Sequence, residues 1–236
     1  MWAYGRGVSV RGELLSWSGC RNARDVGGLP ARDGHRVRSG VLLRTDSLDQ
    51  LDAEGLRTTQ QLRPALVLDL RSDFETSVTE HPFREDPAYR VIPFVDPVRD
   101  TERVAENERT LTDRYLGSLE RNGSQVAIMV RAIAESPDGP VIVHCASGKD
   151  RTGLLIALLL DLVGVPHDII CDDYARSEEH LELTDHDDPF ARTRPETMAA
   201  VLEHLSDTWG GAAGYLRAQG VDPVALDRVR DRLLGD

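Results

Sequence analysis

Cysteine, lysine and long apolar runs are all scarce in this chain of 236 residues. The three cysteines, Cys20, Cys145 and Cys171, stand far apart. They form no disulfide framework and fit a reducing compartment. The longest apolar stretch, Leu154 to Leu160, stops at Asp161, far short of the roughly 20 residues a membrane-spanning helix takes. The opening Met1-Trp2-Ala3-Tyr4-Gly5-Arg6 lacks the basic region and apolar core of a signal peptide. The expectation is a cytoplasmic protein with no stable membrane insertion, although export without a signal peptide leaves no mark in a sequence. Positive charge is also in deficit: 28 Lys and Arg stand against 40 Asp and Glu, a net charge of -12. That balance excludes a generic nucleic-acid binder. Any anionic substrate must therefore meet a patch that is positive only locally. Lys149 is the sole lysine, and every other formal cation is an arginine.

The length allows one sizeable domain, and no linker, repeat or low-complexity segment divides it. One domain over 1–236 is expected, with a strand-and-turn region at 1–45 and C-terminal helices at 195–236. Val41-Leu42-Leu43-Arg44, Ala65 to Leu70, Arg90 to Phe94 and Pro140 to His144 read as strands. Leu48 to Leu62, the Leu111–Leu119 stripe, Val126 to Ala134 and Thr152 to Val163 read as helices. Another helix opens at Pro166. The tail predicts two or three more, broken at Gly210-Gly211 and Gly220. This alternation gives an α/β fold, a central mostly parallel sheet flanked by helices.

Within that frame, Val141-Ile142-Val143-His144-Cys145-Ala146-Ser147-Gly148-Lys149-Asp150-Arg151-Thr152-Gly153 carries chemistry. A thiol sits between a strand and a helix N-terminus, and five residues later an arginine follows. Loop N–H groups turned inward make an anion nest, and Arg151 adds a planar pair of donors. Gly148 suits a strained backbone angle. Helix dipole and nest also favour the thiolate. A free thiol is a few per cent ionised at neutral pH, so full ionisation gains only about thirty-fold. Phosphate monoester hydrolysis requires accelerations up to about 10²¹-fold. Positioning and preorganised charge must therefore dominate. The thiolate divides the reaction into two displacements through a phosphocysteine. Thr152 is placed to donate to the departing sulfur. Cys20 and Cys171 lack this context and read as inert.

The leaving oxygen needs a proton, for which Asp96, Asp69, Asp73 and Asp150 are candidates. Asp96 follows a strand end. Asp69 lies inside a strand and is expected to pair with Arg71, and Asp73 reads as a turn or cap residue. Asp150 is placed to bind loop amides or Arg24, to act as a second acid, or to place the hydrolytic water. Arg24 and Asp25 brace the loop or hold a tight turn. Glu178-Glu179-His180 with Asp185-His186-Asp187-Asp188 matches no metal-ligand spacing and reads as a solvated acidic loop. Residues 97–110 are charged and placed to form a lid.

His144 to Gly153 resembles the signature loop of cysteine-dependent protein tyrosine phosphatases. Cys145-Ala146-Ser147-Gly148-Lys149-Asp150-Arg151 is similar to the bacterial, protein tyrosine phosphatase B-like branch. Supporting blocks are Asn22-Ala23-Arg24-Asp25-Val26-Gly27-Gly28, Leu43-Arg44-Thr45-Asp46, Leu68-Asp69-Leu70-Arg71-Ser72, Pro93-Phe94-Val95-Asp96 and Gly214-Tyr215-Leu216. The resemblance implies a phosphotyrosine-phosphatase-like fold and Asp96 as the acid. It also implies a lid, for which the segment here is short.

The reading is a phosphomonoester hydrolase with catalytic Cys145, Arg151 and Asp96, and a phosphate cradle from Ala146, Ser147, Gly148, Lys149, Asp150 and Arg151. His144, Thr152, Arg24 and Asp25 support it, and no metal or organic cofactor is required. Expected substrates are phosphotyrosine proteins or other phosphomonoesters, with dual specificity as an option. Phosphoinositides enter because Lys149 with Asp150 resembles the loops of lipid phosphatases. Rival readings are a serine/threonine or lipid phosphatase on the same machinery, a phosphate-binding pseudophosphatase, and a sulfur-transfer or arsenate-reducing enzyme, which would want a resolving cysteine or a different loop.

Overall fold

A computed structural model of the chain describes residues 12–182 and 190–235. The opening hexapeptide and Asp185 to Asp188 lie outside the described residues. The strands are β1 (Glu13–Leu14), β2 (Arg24–Asp25), β3 (Leu42–Thr45), β4 (Leu66–Asp69), β5 (Tyr89–Val91) and β6 (Val141–His144). They form a six-stranded sheet in the order β1-β2-β3-β6-β4-β5. β3, β6, β4 and β5 run parallel to their neighbours, while β1 and β2 add an antiparallel margin beside β3. Every residue of β3, β4 and β6 is buried. A parallel sheet covered on both faces accounts for their near-continuous apolar runs. Successive side chains alternate between two cores. Leu66, Leu68, Val141 and Val143 join the larger one. Leu43, Val67 and Ile142 meet Trp17, Leu48 and Phe83 in the smaller.

The helices are α1 (Ala53–Gln61), α2 (Asp73–Ser77), α3 (Pro97–Asp100), α4 (Leu111–Arg121), α5 (Gly123–Glu135), α6 (Asp150–Leu162), α7 (His167–His180), α8 (Pro195–Trp209), α9 (Ala212–Ala218) and α10 (Pro223–Leu234). α6 is buried on nearly all sides, from Thr152 through Leu160. It touches β3, β6, α7, α9 and α10. Such an all-round apolar helix needs neighbours on every side, and the C-terminal helices supply them. α8 packs on α7 and α4, and α10 on α5. The tail breaks where expected, with Gly210 and Gly211 at φ 72° and 97° after α8. No described helix is long and apolar enough to cross a membrane.

Two elements differ from expectation. The helix predicted over 48–62 is a 3₁₀ turn, Leu48–Gln50, followed by α1. Asp52 separates them, its carboxylate accepting from the N–H groups of Glu54 and Gly55 as an N-cap. The strand predicted over 90–94 ends regular pairing at Val91, before Pro93, which has no N–H to offer. The chain still follows β4 there, since Ile92 and Phe94 donate to the carbonyls of Asp69 and Leu70.

Candidate active site

β6 delivers Cys145, 1% exposed, to the loop that enters α6. Four consecutive loop carbonyls are tied from outside. Cys145 O lies 3.3 Å from His144 Nδ1. Ala146 O accepts from Ser47 N at 2.9 Å, and Ser147 O from Asn22 Nδ2 at 2.9 Å. Gly148 O accepts from Arg44 Nη2 at 2.6 Å. No peptide bond among the described residues is cis, so each trans peptide points its N–H opposite its carbonyl. The amides of Ala146, Ser147, Gly148 and Lys149 are thereby turned to the other side of the loop. Lys149 caps α6 without any side-chain acceptor, so the helix N-terminus stays open toward the same side. Gly148 has φ 66°, and a Cβ there would meet Thr45 O at 2.3 Å. Only glycine fits this close approach to the end of β3.

The anchors behind the loop are themselves fixed. Arg24 and Arg44 grip one buried carboxylate, Asp173 on α7, at 2.8 and 2.6 Å. Arg24 also holds Asn22 and Ser177. Burial opposes the charge on Asp173, but the two guanidinium groups outweigh it and hold the carboxyl well below its usual range. At this carboxylate two cations meet one anion. Arg24 thus braces the loop through its partners. Asp25 does not reach it: its carboxylate accepts from Gly27 N and Gly40 N and holds the turns there.

Arg151 forms a two-point ion pair with Glu75, at 2.6 and 2.8 Å. Glu75 sits on α2, where it also closes a capping box with Ser72. Arg151 pulls the Glu75 carboxyl down to about 2. Burial disfavours the Arg151 cation, yet the bonds to Glu75 and the nearby Cys145 raise its pKa further. Beside Arg151 lies a cavity of about 330 Å³ lined in part by Phe94, Val95, Arg114, Tyr115 and Asp150.

The acidic candidates separate clearly. Asp69 pairs with Arg71, as expected, at 2.7 Å. Asp73 is the first residue of α2, whose cap is Ser72. Asp150 Oδ1 accepts from Tyr115 Oη at 2.5 Å, and Tyr115 Oη also meets Tyr174 Oη at 2.9 Å. Asp150 therefore binds neither loop amides nor Arg24. Asp96 caps α3, with Oδ1 accepting from Val98 N at 2.8 Å, and its own N–H donates to Asn122 Oδ1. It stands one residue beyond Val95 of the cavity wall, outside the lining itself. Lys149 departs from the expected phosphate-binding place. Its ammonium donates to Phe190 O and Ala191 O, both at 2.9 Å, and lies 3.3 Å from Asp150. Thr152 Oγ1 is buried with no hydrogen-bond partner among the described residues, so its hydroxyl is uncommitted.

Burial pushes the thiols of Cys20 and Cys171 up to about 12, which suits inert residues. Asp69, His81 and His144 are the described side chains close enough together to hold a metal ion. Their donor atoms are already occupied. Asp69 accepts from Arg71 and Tyr89, His81 Nδ1 accepts from Phe83 N, and the two imidazoles face each other. Several parts of the site carried no signal in the sequence. Asp173 acts through Arg24 and Arg44, His81 through His144 and Tyr115 through Asp150, while Arg44 stood in a block that carries the resemblance but with no role read for it. Glu75 was visible only as the fourth residue of a Ser-x-x-Glu capping box.

Sheet, thiol loop and paired arginine define a hydrolase that acts on phosphate monoesters. The chain belongs to the tyrosine phosphatase family, whose model matches residues 15–235. It is similar to the triple specificity protein phosphatase PtpB of Mycobacterium tuberculosis, at 29% identity over 92% of this chain and 98% of that protein. It is also similar to a tyrosine-protein phosphatase of Nostoc commune, at 35% identity over 52% of this chain and 49% of that one.

Proposed function

We propose that this chain hydrolyses phosphotyrosine in proteins by two displacements at Cys145, with phosphoserine or phosphothreonine as further substrates. One observation supports the reading: four tied carbonyls turn the loop amides to one side of the loop, and the loop runs into an uncapped helix N-terminus whose second residue is Arg151. The Cys145 thiolate attacks phosphorus and the P–O bond to the leaving group breaks. Asp96 gives its proton to that oxygen. Water then attacks the phosphocysteine, Asp96 takes a proton from it, and sulfur leaves with a hydrogen bond from Thr152. No metal or organic cofactor enters the scheme. Within this reading the chain acts as one domain over 1–236 in the cytoplasm, a setting that three free cysteines suit.

The test is hydrolysis of para-nitrophenyl phosphate, a phosphotyrosine peptide and a phosphoserine peptide, each with and without a chelator. Chelator-resistant turnover, fastest on the aryl esters, is expected. Strict metal dependence would overturn the mechanism. Glu75 has a defined part in it. Glu75→Gln keeps the shape but loses the ionic, two-point hold on Arg151. It should lower kcat/KM for para-nitrophenyl phosphate by about tenfold, equal to about 1.4 kcal/mol of transition-state binding. Unchanged steady-state kinetics would remove Glu75 from the machinery.

A second reading, that phosphoinositides are also hydrolysed, is favoured by Arg114. Its guanidinium lines the cavity beside Arg151 and lies 4.0 Å from the centre of the Phe190 ring. Its Nε is buried without a partner, and no ion pair engages it among the described residues. A second phosphate on the substrate would meet it there. Lys149 does not support this role, because its ammonium is committed to two carbonyls. Arg114→Ala should reduce phosphoinositide hydrolysis several-fold more than hydrolysis of the phosphotyrosine peptide. Equal losses would remove the lipid reading.

A further inference from the structure

We propose that His81 is a positioning residue that keeps His144 neutral, with the His144 proton on Nδ1 and directed at the carbonyl of Cys145. The inference deepens the reading of Cys145 as nucleophile. Its structural half stands without that reading.

The argument is a count of protons along one chain of hydrogen bonds. Phe83 N donates to His81 Nδ1 at 3.2 Å, so Nδ1 of His81 carries a lone pair. A neutral His81 then has its proton on Nε2. That nitrogen lies 3.1 Å from Nε2 of His144, with the ring planes 14° from parallel and their centroids 5.0 Å apart. His81 must donate and His144 must accept. The single proton left to a neutral His144 is on Nδ1, which faces Cys145 O at 3.3 Å. An imidazolium at His144 would present Nε2–H to a nitrogen that already bears a proton. His81 could accept it only by becoming an anion, or by moving its own proton to Nδ1 and leaving the buried Phe83 N–H without its acceptor. Both rings are therefore uncharged together.

The surroundings enforce the arrangement. His81 is 5% exposed and His144 is fully buried. Tyr89 stacks on His81, with centroids 4.1 Å apart. The charged groups facing the pair are Asp69 and Arg71 from β4 and the turn after it, and Asp49 from the 3₁₀ turn. Asp69 Oδ2 lies 3.6 Å from His144 Nε2, but Arg71 and Tyr89 already satisfy it. Burial, then the neighbouring imidazole, lowers His81 to about 3, and burial lowers His144 as well. The carbonyl of Cys145 is thus tied by a neutral donor. Positive potential at the sulfur is left to the loop amides, the open end of α6 and Arg151.

The experiment uses the full chain with ¹⁵N-labelled histidine, followed by NMR from pH 5 to 8. In the native protein His144 should show the neutral Nδ1–H signature throughout. An imidazolium or an Nε2–H tautomer in that range would overturn the proposal, and this needs no variant. His81→Phe keeps the ring against Tyr89 but removes both nitrogens. His144 should then take up a second proton within this range, since the charge of Asp69 lies 3.6 Å from its Nε2 and no protonated nitrogen opposes it. His81→Gln, which supplies an acceptor for Phe83 and a donor for His144, should restore the native signature. A His144 unaffected by His81→Phe also overturns the proposal. The kinetic arm is alkylation of Cys145 by iodoacetamide against pH. Its midpoint should fall by about one unit in His81→Phe, as a cation appears beside the thiolate, and return in His81→Gln. A midpoint that does not move overturns the link to Cys145. A protein whose His144 behaves as stated but whose Cys145 never reacts would fail the phosphatase reading and not this one.

Discussion

Cys145→Ser should abolish turnover of para-nitrophenyl phosphate, lowering kcat by about 10⁴-fold or more, while leaving the phosphate site intact. The reasoning rests on which atoms do which work. The tied carbonyls, the open end of α6 and Arg151 all remain when sulfur becomes oxygen. Inorganic phosphate should therefore bind within about threefold of its native affinity, because backbone donors and a paired arginine supply that binding. The change is small in volume at a position that is 1% exposed, so the fold should survive. What disappears is a nucleophile that can ionise near neutral pH. Acid quenching during turnover should trap labelled phosphate on the native protein and none on the variant. A Cys145→Ser protein with more than a tenth of native activity would place the nucleophile elsewhere. A native protein that binds phosphopeptide without turnover would instead point to a pseudophosphatase.

Asp96→Asn should cost about 10²–10⁴-fold on substrates with poor leaving groups, the usual worth of a positioned acid. The para-nitrophenolate leaves without much help, so the same variant should lose far less on that ester. The signature is a dependence on leaving-group pKa that steepens in the variant. Asp150→Asn is the matched control. Asp150 faces the cavity beside Arg151, whereas Asp96 stands just outside its lining and currently caps α3. If Asp150→Asn steepens the dependence and Asp96→Asn does not, the two roles exchange. A flat response in Asp96→Asn alone removes it as the acid.

The strand, the loop and α6 were legible because one continuous stretch, Val141 to Leu162, encodes them, and backbone geometry at Gly148 is a local matter. Asp69 with Arg71 was legible for the same reason: the partners are two residues apart. The partners of the anchors were not, although Arg24 itself was read as a candidate brace. Arg24 meets Asp173 across 149 positions, Arg44 meets Gly148 across 104, Arg151 meets Glu75 across 76, and His81 meets His144 across 63. Those pairings exist only once β3, β6 and β4 lie side by side. Arginine is also a poor marker of depth. Arg24 and Arg44 are among the most buried side chains of the described residues, yet the residue type alone marks neither as interior. The same blindness affected Lys149, whose charge suggested a ligand although its partners are carbonyls 41 and 42 positions away.

That lysine has a further consequence. A lysine-specific endoprotease has one cleavage point in this sequence, and it falls in the middle of the phosphate loop. The side chain it must engage is 7% exposed and held by two carbonyls. Proteolysis can proceed only from molecules whose loop has come away from the body. A digestion that yields two fragments, timed on a gel, becomes a stopwatch for the opening of this one loop, and phosphate or vanadate should slow it.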